Sequence, residues 1–219
     1  MNLLIENLPF LLDGAMVALS LLAVVLTLGC AIGVTIALLQ IYGPLPLKVA
    51  VGLYERIFRG IPPVVLLLLV YHGGSEYVSL SPFWSAGVAL GLSSGAYQSQ
   101  IFRGAILNVP VGQMLAGRAM GMSKWQAVRW VILPSAARHT ILPWGNEFSS
   151  QLKATSLAYV IGVVELTRQA KYIISSTQGN VLLVFAAVAL TYFLMNRFGN
   201  WAFARLNKAI SIPGMSTAT

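Results

Sequence analysis

The chain has 219 residues, of which 57% are hydrophobic and only 9% are charged, and its formal net charge is +8. With a mean hydropathy of +0.77, it carries too few polar residues to cover the surface of a water-soluble globule. Its single cysteine, Cys30, excludes a disulfide framework and a multi-cysteine metal site. The composition therefore predicts an integral membrane protein.

Five apolar runs follow one another, and most reach the ~20 residues that a helix needs to cross a bilayer. The sequence predicts one all-α transmembrane domain over residues 1–219, with five transmembrane helices at about 12–41, 52–72, 83–107, 138–165 and 181–206. Pro62 and Pro63 interrupt the second span where it enters the membrane, because a double proline removes two backbone donors.

The lysines and arginines predict the orientation of the chain. Placing the N-terminus outside and the C-terminus inside puts most of them on the inner side, namely Lys48, Arg56, Arg59, Arg103, Arg118, Lys124, Arg129, Arg138, Arg205 and Lys208. The outer side then holds Arg168 and Lys171 together with Glu6, Asp13, Glu76 and Glu165. Because the basic residues follow topology and form no single tract, we expect a membrane lipid environment and no nucleic-acid partner.

Residues 110–137 form a basic insert between the third and fourth spans. A small-residue patch from Ala116 to Gly121 precedes an apolar and aromatic run from Trp125 to Leu133. We expect short cytoplasmic helices with shallow grooves that a partner protein grips. The sequence has no phosphate-binding loop with the required lysine and hydroxyl, so any ATP is bound by another chain.

The fourth span contains the intramembrane carboxylate Glu147, and such residues mark functional sites by default. Helical spacing places Gln151 on the same face, so the pair is predicted to meet a polar solute. Two alternatives stay open: Glu147 pairs with Lys153 or Arg103, or it lies in the headgroup layer. Lys153 is interpreted as a structural or snorkelling residue.

The third span has a polar stretch from Ser93 to Gln100 between two apolar runs. Tyr97 and Gln98 offer a phenol and an amide to a solute, or they form hydrogen bonds across a helix interface, and the sequence favours neither reading. Ser93, Ser94 and Gly95 are interpreted as packing residues.

The insert resembles the EAA loop of the permease subunits of ATP-binding-cassette importers. Leu115 to Gly121 precede Ile132-Leu133-Pro134 with that family's spacing from glycine to proline. Further segments resemble the polar amino acid subgroup: Phe58 to Pro62, Gly95 to Tyr97, Phe102 to Ile106, Ala119 to Ser123 and Lys153 to Leu157. The similarity runs from about Leu11 to Lys208.

The resemblance implies a non-catalytic permease subunit of a type I importer for a polar amino acid in a bacterial inner membrane. The expected partners are ATP-binding subunits that hold ATP and Mg²⁺, a second permease chain and a solute-binding protein, and this chain needs no cofactor of its own. The expected substrate-binding residues are Glu147, Gln151, Tyr97 and Gln98. The residues expected to couple the chain to the ATP-binding subunit are Leu115, Ala116, Gly117, Arg118, Ala119, Gly121 and Ser123.

Two departures from the family pattern bear on these expectations. The motif glutamate is Leu115 here and its second alanine is Gly117, which favours a heterodimer with a sister chain that carries the fuller motif. Ala154 stands where many relatives have aspartate, which weakens the case for a dibasic solute. The alternative function is a carrier or channel driven by an ion gradient, with Glu147 as the relay.

Overall fold

The computed structural model describes residues 2–74, 80–177 and 180–210, and all regular secondary structure in these segments is helical. The prediction of an all-α chain is confirmed. Glu76, assigned to the outer side, lies outside the described residues. The helices are α1 Asn2–Glu6, α2 Leu8–Tyr42, α3 Leu45–Gly60, α4 Pro63–Gly74, α5 Pro82–Leu107, α6 Val111–Ala119, α7 Lys124–Ala127, α8 Leu133–Ala154, α9 Leu166–Thr177 and α10 Val181–Ile210. A π-helical turn, Val128–Ile132, joins α7 to α8, and a 3₁₀ segment, Thr155–Ile161, follows α8.

Two helices, α2 with 35 residues and α10 with 30, are long and apolar enough to cross a bilayer. The other long helices, α5 and α8, have no apolar stretch of that length. In α5 and α8 the apolar sequence is broken by polar side chains that the interior of the chain buries, among them Ser94, Gln98 and Glu147. The five-span count and the orientation of the N-terminus therefore remain predictions.

The segment predicted as the second span consists of two helices. α3 ends at Gly60 and α4 begins at Pro63, because Pro62 and Pro63 supply no backbone donors. α3 is amphipathic, and Glu55 is its one buried residue among those described. Its apolar side chains Leu45, Val49, Leu53 and Ile57 are exposed and follow one another every fourth residue.

The fourth predicted span, 138–165, overlaps α8, which begins earlier and ends earlier. It starts at Leu133 because the π-helical turn continues directly into it. After Ala154 the hydroxyls of Thr155 and Ser156 donate to the carbonyls of Leu152 and Lys153, each at 2.7 Å, and the helix tightens into the 3₁₀ segment.

The side of α5 that faces α2 carries three glycines at successive helical turns. A Cβ built on Gly87 would lie 2.9 Å from Val24 Cγ1, one on Gly91 would lie 2.6 Å from Leu28 Cδ2, and one on Gly95 would lie 2.7 Å from Ile32 Cγ2. Each glycine therefore receives one branched side chain of α2. This ridge-in-groove contact lets the two backbones approach closely.

The same interface has a reciprocal part further along α2. A Cβ on Gly29 would lie 2.5 Å from Gln98 Nε2, and one on Gly33 would lie 2.8 Å from Gln98 Cβ. The two α2 glycines thus make room for an amide side chain of α5. We call the whole contact, Gly87, Gly91 and Gly95 with Gly29 and Gly33, the glycine seam.

Glu165, expected on the outer side, is completely buried and caps α9. Its carboxylate accepts hydrogen bonds from the backbone N–H groups of Thr167 at 2.9 Å and Arg168 at 3.0 Å, and from the Tyr192 hydroxyl at 2.8 Å. The carboxylate therefore fixes the start of α9 against α10.

Replacing Gly95 by alanine tests the glycine seam. The new methyl group has no space beside Ile32, and overpacking of this kind costs about 1–3 kcal/mol of unfolding free energy. Gly104→Ala is the control in the same helix, because no atom beyond its own stretch of helix lies within 4 Å of its Cβ position. Thermal unfolding in detergent should show a lower midpoint for Gly95→Ala alone, and equal midpoints would contradict the seam.

Candidate functional site

A buried polar cluster joins α5 to α8 around Glu147. The Ser94 hydroxyl donates to Glu147 Oε1 at 2.7 Å, and the Gln151 amide nitrogen donates to the same oxygen at 2.8 Å. Glu147 is 7% exposed and Gln151 is 6% exposed. The two hydrogen bonds satisfy one carboxylate oxygen inside the chain, which offsets part of the cost of burying it.

Gln98 connects this cluster to α2. Its amide nitrogen donates to Ser94 Oγ at 3.0 Å and to the carbonyl of Leu26 at 3.3 Å, and its amide oxygen accepts from Trp144 Nε1 at 2.7 Å. The side chain is completely buried and its bonding capacity is largely used inside the chain. Gln98 therefore ties α2, α5 and α8 together.

Three of the four residues predicted to bind substrate thus lie together, namely Glu147, Gln151 and Gln98. The described hydrogen-bond partners of Glu147 are neutral, and they are neither Lys153 nor Arg103. Ser94, interpreted as a packing residue, lies beside the glycine seam and also bonds the carboxylate. Sequence spacing relates Gln151 to Glu147, but it gives no indication of the Ser94 contact between helices.

The surface of α8 next to the cluster is polar and exposed. Asn146, Ser150 and Lys153 follow one another at helical spacing, and all three are exposed. Lipid chains offer no hydrogen-bond partners to such groups, so this face is suited to water, a solute or another protein chain. Glu147 lies on the adjacent side of the same helix, which faces the interior of the chain.

Tyr97 lies apart from the cluster, in a cavity between α3 and α5. Tyr97 is 41% exposed, and the Arg59 guanidinium carbon lies 5.3 Å from the centroid of its ring. The cavity has a volume of about 610 Å³, and Arg56, Arg103 and Gln100 also line it. We call it the arginine cavity. Glu147, Gln151 and Gln98 are not among the residues that line this cavity.

Glu55, which the sequence analysis did not select, lines the arginine cavity. It is 6% exposed, and its carboxylate accepts hydrogen bonds from the Gln40 amide and the Ser99 hydroxyl. The sequence does contain one indication of a role for Glu55, because it is an ionisable residue inside the predicted second span. The amphipathic pattern of α3 gave no indication that Glu55 would be its buried residue.

The insert contains α6, α7 and the π-helical turn. Of the residues expected to contact the ATP-binding subunit, Leu115, Ala116, Arg118 and Ala119 are exposed, and Leu115 has 63% of its surface accessible. Gly117 is buried, and its Cβ position lies 3.3 Å from Ala127 Cβ. Gly117 therefore brings α6 against α7 while its neighbours face outward.

The turn between α6 and α7 is stabilised by its own residues. Gly121 has a φ of +85°, a backbone conformation that side-chain-bearing residues rarely adopt. Ser123 caps α7 and exchanges hydrogen bonds with Gln126 in a capping box. Arg118 donates to the carbonyl of Met122 at 2.8 Å. Gly121 and Ser123 thus fix the shape of the insert.

A helical membrane chain with buried polar clusters and an exposed, self-capped helical insert has the features of a transporter's membrane subunit. Residues 29–212 match the family described as binding-protein-dependent transport system inner membrane component, and the chain belongs to that family. This membership favours the importer over the gradient-driven carrier. Permease subunits of this family are not catalytic by themselves, and ATP hydrolysis belongs to a partner.

Similar proteins have related roles. The glutamine transport system permease protein GlnP of Escherichia coli K12 is 34% identical over 209 residues, covering 93% of this chain and 94% of that protein. The octopine transport system permease protein OccQ of Rhizobium meliloti is 37% identical over 202 residues, covering 86% and 84%. The crystal structure of an amino acid ABC transporter with histidines aligns at a TM-score of 0.86 with 31% identity, covering 94% and 97%.

Substituting Gln98 by leucine tests its role as a tie between helices. The change removes the acceptor of the Trp144 Nε1–H and the donor to Ser94 Oγ, and leaving such polar groups unpaired inside the chain costs about 1–3 kcal/mol. Gln100→Leu in the same helix is the control, because Gln100 lines the open arginine cavity. Unfolding in denaturant should show a loss for Gln98→Leu and little change for Gln100→Leu. The reverse order would contradict the assignment.

Proposed function

We propose that this chain is a permease subunit that imports a polar amino acid or a close relative across a bacterial inner membrane, with its N-terminus outside and its C-terminus inside. The observation that carries the proposal is the exposed face of the insert, Leu115 to Ala119, within a chain of this transport family. The full transporter contains two ATP-binding subunits, two permease chains and a solute-binding protein.

The solute class follows from the relatives and from the polar groups of the chain. GlnP belongs to a glutamine transport system and OccQ to an octopine transport system. In this chain, Glu147 supplies a carboxylate to an ammonium group or a basic side chain, and Gln151 supplies an adjacent amide. Tyr97 contacts the solute separately, in the arginine cavity. Gln98 acts by holding Ser94 and Trp144 in position.

A second permease chain completes the path. The polar stripe Asn146, Ser150 and Lys153 and the apolar stripe of α3 are both uncovered in one chain, and a facing subunit encloses the first and packs on the second. The position of Leu115 in place of the motif glutamate favours a sister chain over an identical copy.

Transport proceeds by alternating access. Closure of the ATP-binding dimer moves α6 and α7, and because α8 continues from the π-helical turn of the insert, the movement reaches Glu147 through one helix. The solute path thereby opens outward and then inward. This coupling requires an outward-open and an inward-open state, and ATP and the solute must each bind the two states with different affinity.

Glu147→Gln in the reconstituted transporter tests the solute role. The variant should lose at least about tenfold in solute uptake, in line with the loss of a charged hydrogen bond, while basal ATP hydrolysis changes little. Asp13→Asn, an exposed acid of α2, is the control and should leave uptake unchanged. The measurement is uptake of labelled amino acids beside ATP turnover. Equal losses of uptake and of basal hydrolysis would refute the assignment.

Leu115→Arg tests the coupling face. A charge on this exposed position should disrupt an apolar contact with the ATP-binding subunit and reduce its co-purification and solute-stimulated ATP hydrolysis by about tenfold. Leu206→Arg provides the control, since Leu206 is also exposed, at 46%, but lies near the end of α10. Retention of the ATP-binding subunit and of stimulated hydrolysis by Leu115→Arg would contradict the coupling role.

A further inference from the structure

The arginine cavity has an excess of positive charge. Arg56, Arg59 and Arg103 line it, and Glu55 is the one carboxylate that lines it. Glu55 is nearly covered and already accepts hydrogen bonds from Gln40 and Ser99. The formal charges of the lining groups are thus three positive and one negative, and the positive groups are the accessible ones.

The cavity has the size of a small-molecule site. A volume of about 610 Å³ lies within the range of about 300–1,000 Å³ typical of ligand pockets. Its guanidinium groups present paired N–H donors that match the two oxygens of a carboxylate. Tyr97 forms one wall, and its ring holds Arg59 by a cation–π contact.

In the proposed orientation, the cavity lies towards the cytoplasmic side of the membrane. Gln40 lies near the end of α2 and Arg103 near the end of α5, and both helix ends face inward in the proposed orientation. The buried carboxylate Glu147 is reached through Ser94 on a different side of α5. The chain therefore offers a zwitterionic solute a carboxylate at the Glu147 cluster and guanidinium groups at the arginine cavity.

We propose that the arginine cavity binds the carboxylate group of the transported amino acid as it leaves inward, with Arg59 and Arg103 as its cationic ligands. This inference rests on the proposed function and orientation. It assigns Tyr97 to the wall of an inner carboxylate site, separate from Glu147. The same guanidinium groups also suit the phosphate of an anionic lipid, and the experiment separates the two ligands.

The test uses the intact transporter in inside-out vesicles. Cys30→Ala removes the single cysteine, and Gln100→Cys places a thiol in the cavity wall. Rates of modification are measured with two membrane-impermeant methanethiosulfonates, one anionic and one cationic. The anionic reagent should react about tenfold faster, because a positively charged cleft concentrates anions. Arg103→Gln and Arg59→Gln, each added singly, should lower this ratio several-fold, and Arg129→Gln on the insert is the control with the same charge change.

Ligand protection provides the second readout. L-glutamine, L-arginine and L-histidine at millimolar concentration should slow modification of Gln100→Cys, and their α-amides, which lack the carboxylate, should not. Equal rates for the two reagents, or equal protection by acids and amides, would overturn the proposal. Protection that follows the phosphatidylglycerol content of the vesicles, with no effect of amino acids, would assign the arginines to lipid and also overturn it.

The two proposals fail in distinguishable ways. The reagent ratio and the ligand protection need no transport, so carboxylate-dependent protection with no ATP-driven uptake in proteoliposomes would refute the proposed function and leave a carboxylate-binding cavity without a transport role. Uptake with no charge preference at Gln100→Cys would refute the carboxylate site alone.

Discussion

The close approach of α2 to α5 is the constraint on which the other features of the chain depend. Lipid chains are as apolar as leucine, so helices in a membrane associate through close packing and hydrogen bonds. Gly87, Gly91 and Gly95 supply that packing by leaving grooves for the branched side chains of α2. Gly29 and Gly33 supply the hydrogen-bonding part by admitting Gln98 between the helices.

The glycine seam also determines where the polar groups of α5 are placed. Ser94 and Gln98 lie on the side that meets α2 and α8, and they reach Glu147 and Trp144. Tyr97 and Arg103 lie on another side and line the arginine cavity. One helix therefore presents a carboxylate cluster and a guanidinium cavity on different faces. For a zwitterionic solute, these faces offer complementary charges at separate places.

The proposed coupling to ATP hydrolysis depends on a different kind of structure. The insert is shaped by its own capping box and by Gly121, and its outer face is exposed. Because the π-helical turn leads into α8 without a loop, α8 is the direct mechanical connection between the insert and Glu147. The polar stripe Asn146, Ser150 and Lys153 lies on this same helix.

The sequence alone was sufficient for the features that depend on local pattern. Composition predicted an all-helical membrane chain, helical spacing paired Glu147 with Gln151, and the insert indicated the transport family. The features that the sequence did not predict depend on contacts between helices. Gln98 and Tyr97 are neighbours in sequence, yet their side chains enter different environments. Glu55 was overlooked because the buried residue of α3 is a carboxylate, while several of its apolar side chains are exposed.

The division of the second span at Ile61 and the early start of α8 show a further limit of pattern. Hydropathy identifies where apolar residues lie, but the missing backbone N–H of proline, hydroxyl hydrogen bonds and π-helical turns decide where helices begin and end. These features act within one or two residues and leave the mean hydropathy of a window nearly unchanged.

The most direct test of this account is a cross-link across the glycine seam. In a Cys30→Ala background, Leu28→Cys and Gly91→Cys would place two thiols together, since a Cβ on Gly91 lies 3.2 Å from Leu28 Cβ and disulfides join Cβ atoms about 3.8 Å apart. Mild oxidation in native membranes should join this pair and leave Leu28→Cys with Gly104→Cys unjoined. Failure of the first pair to form, or equal cross-linking of both pairs, would contradict the packing that places both polar sites.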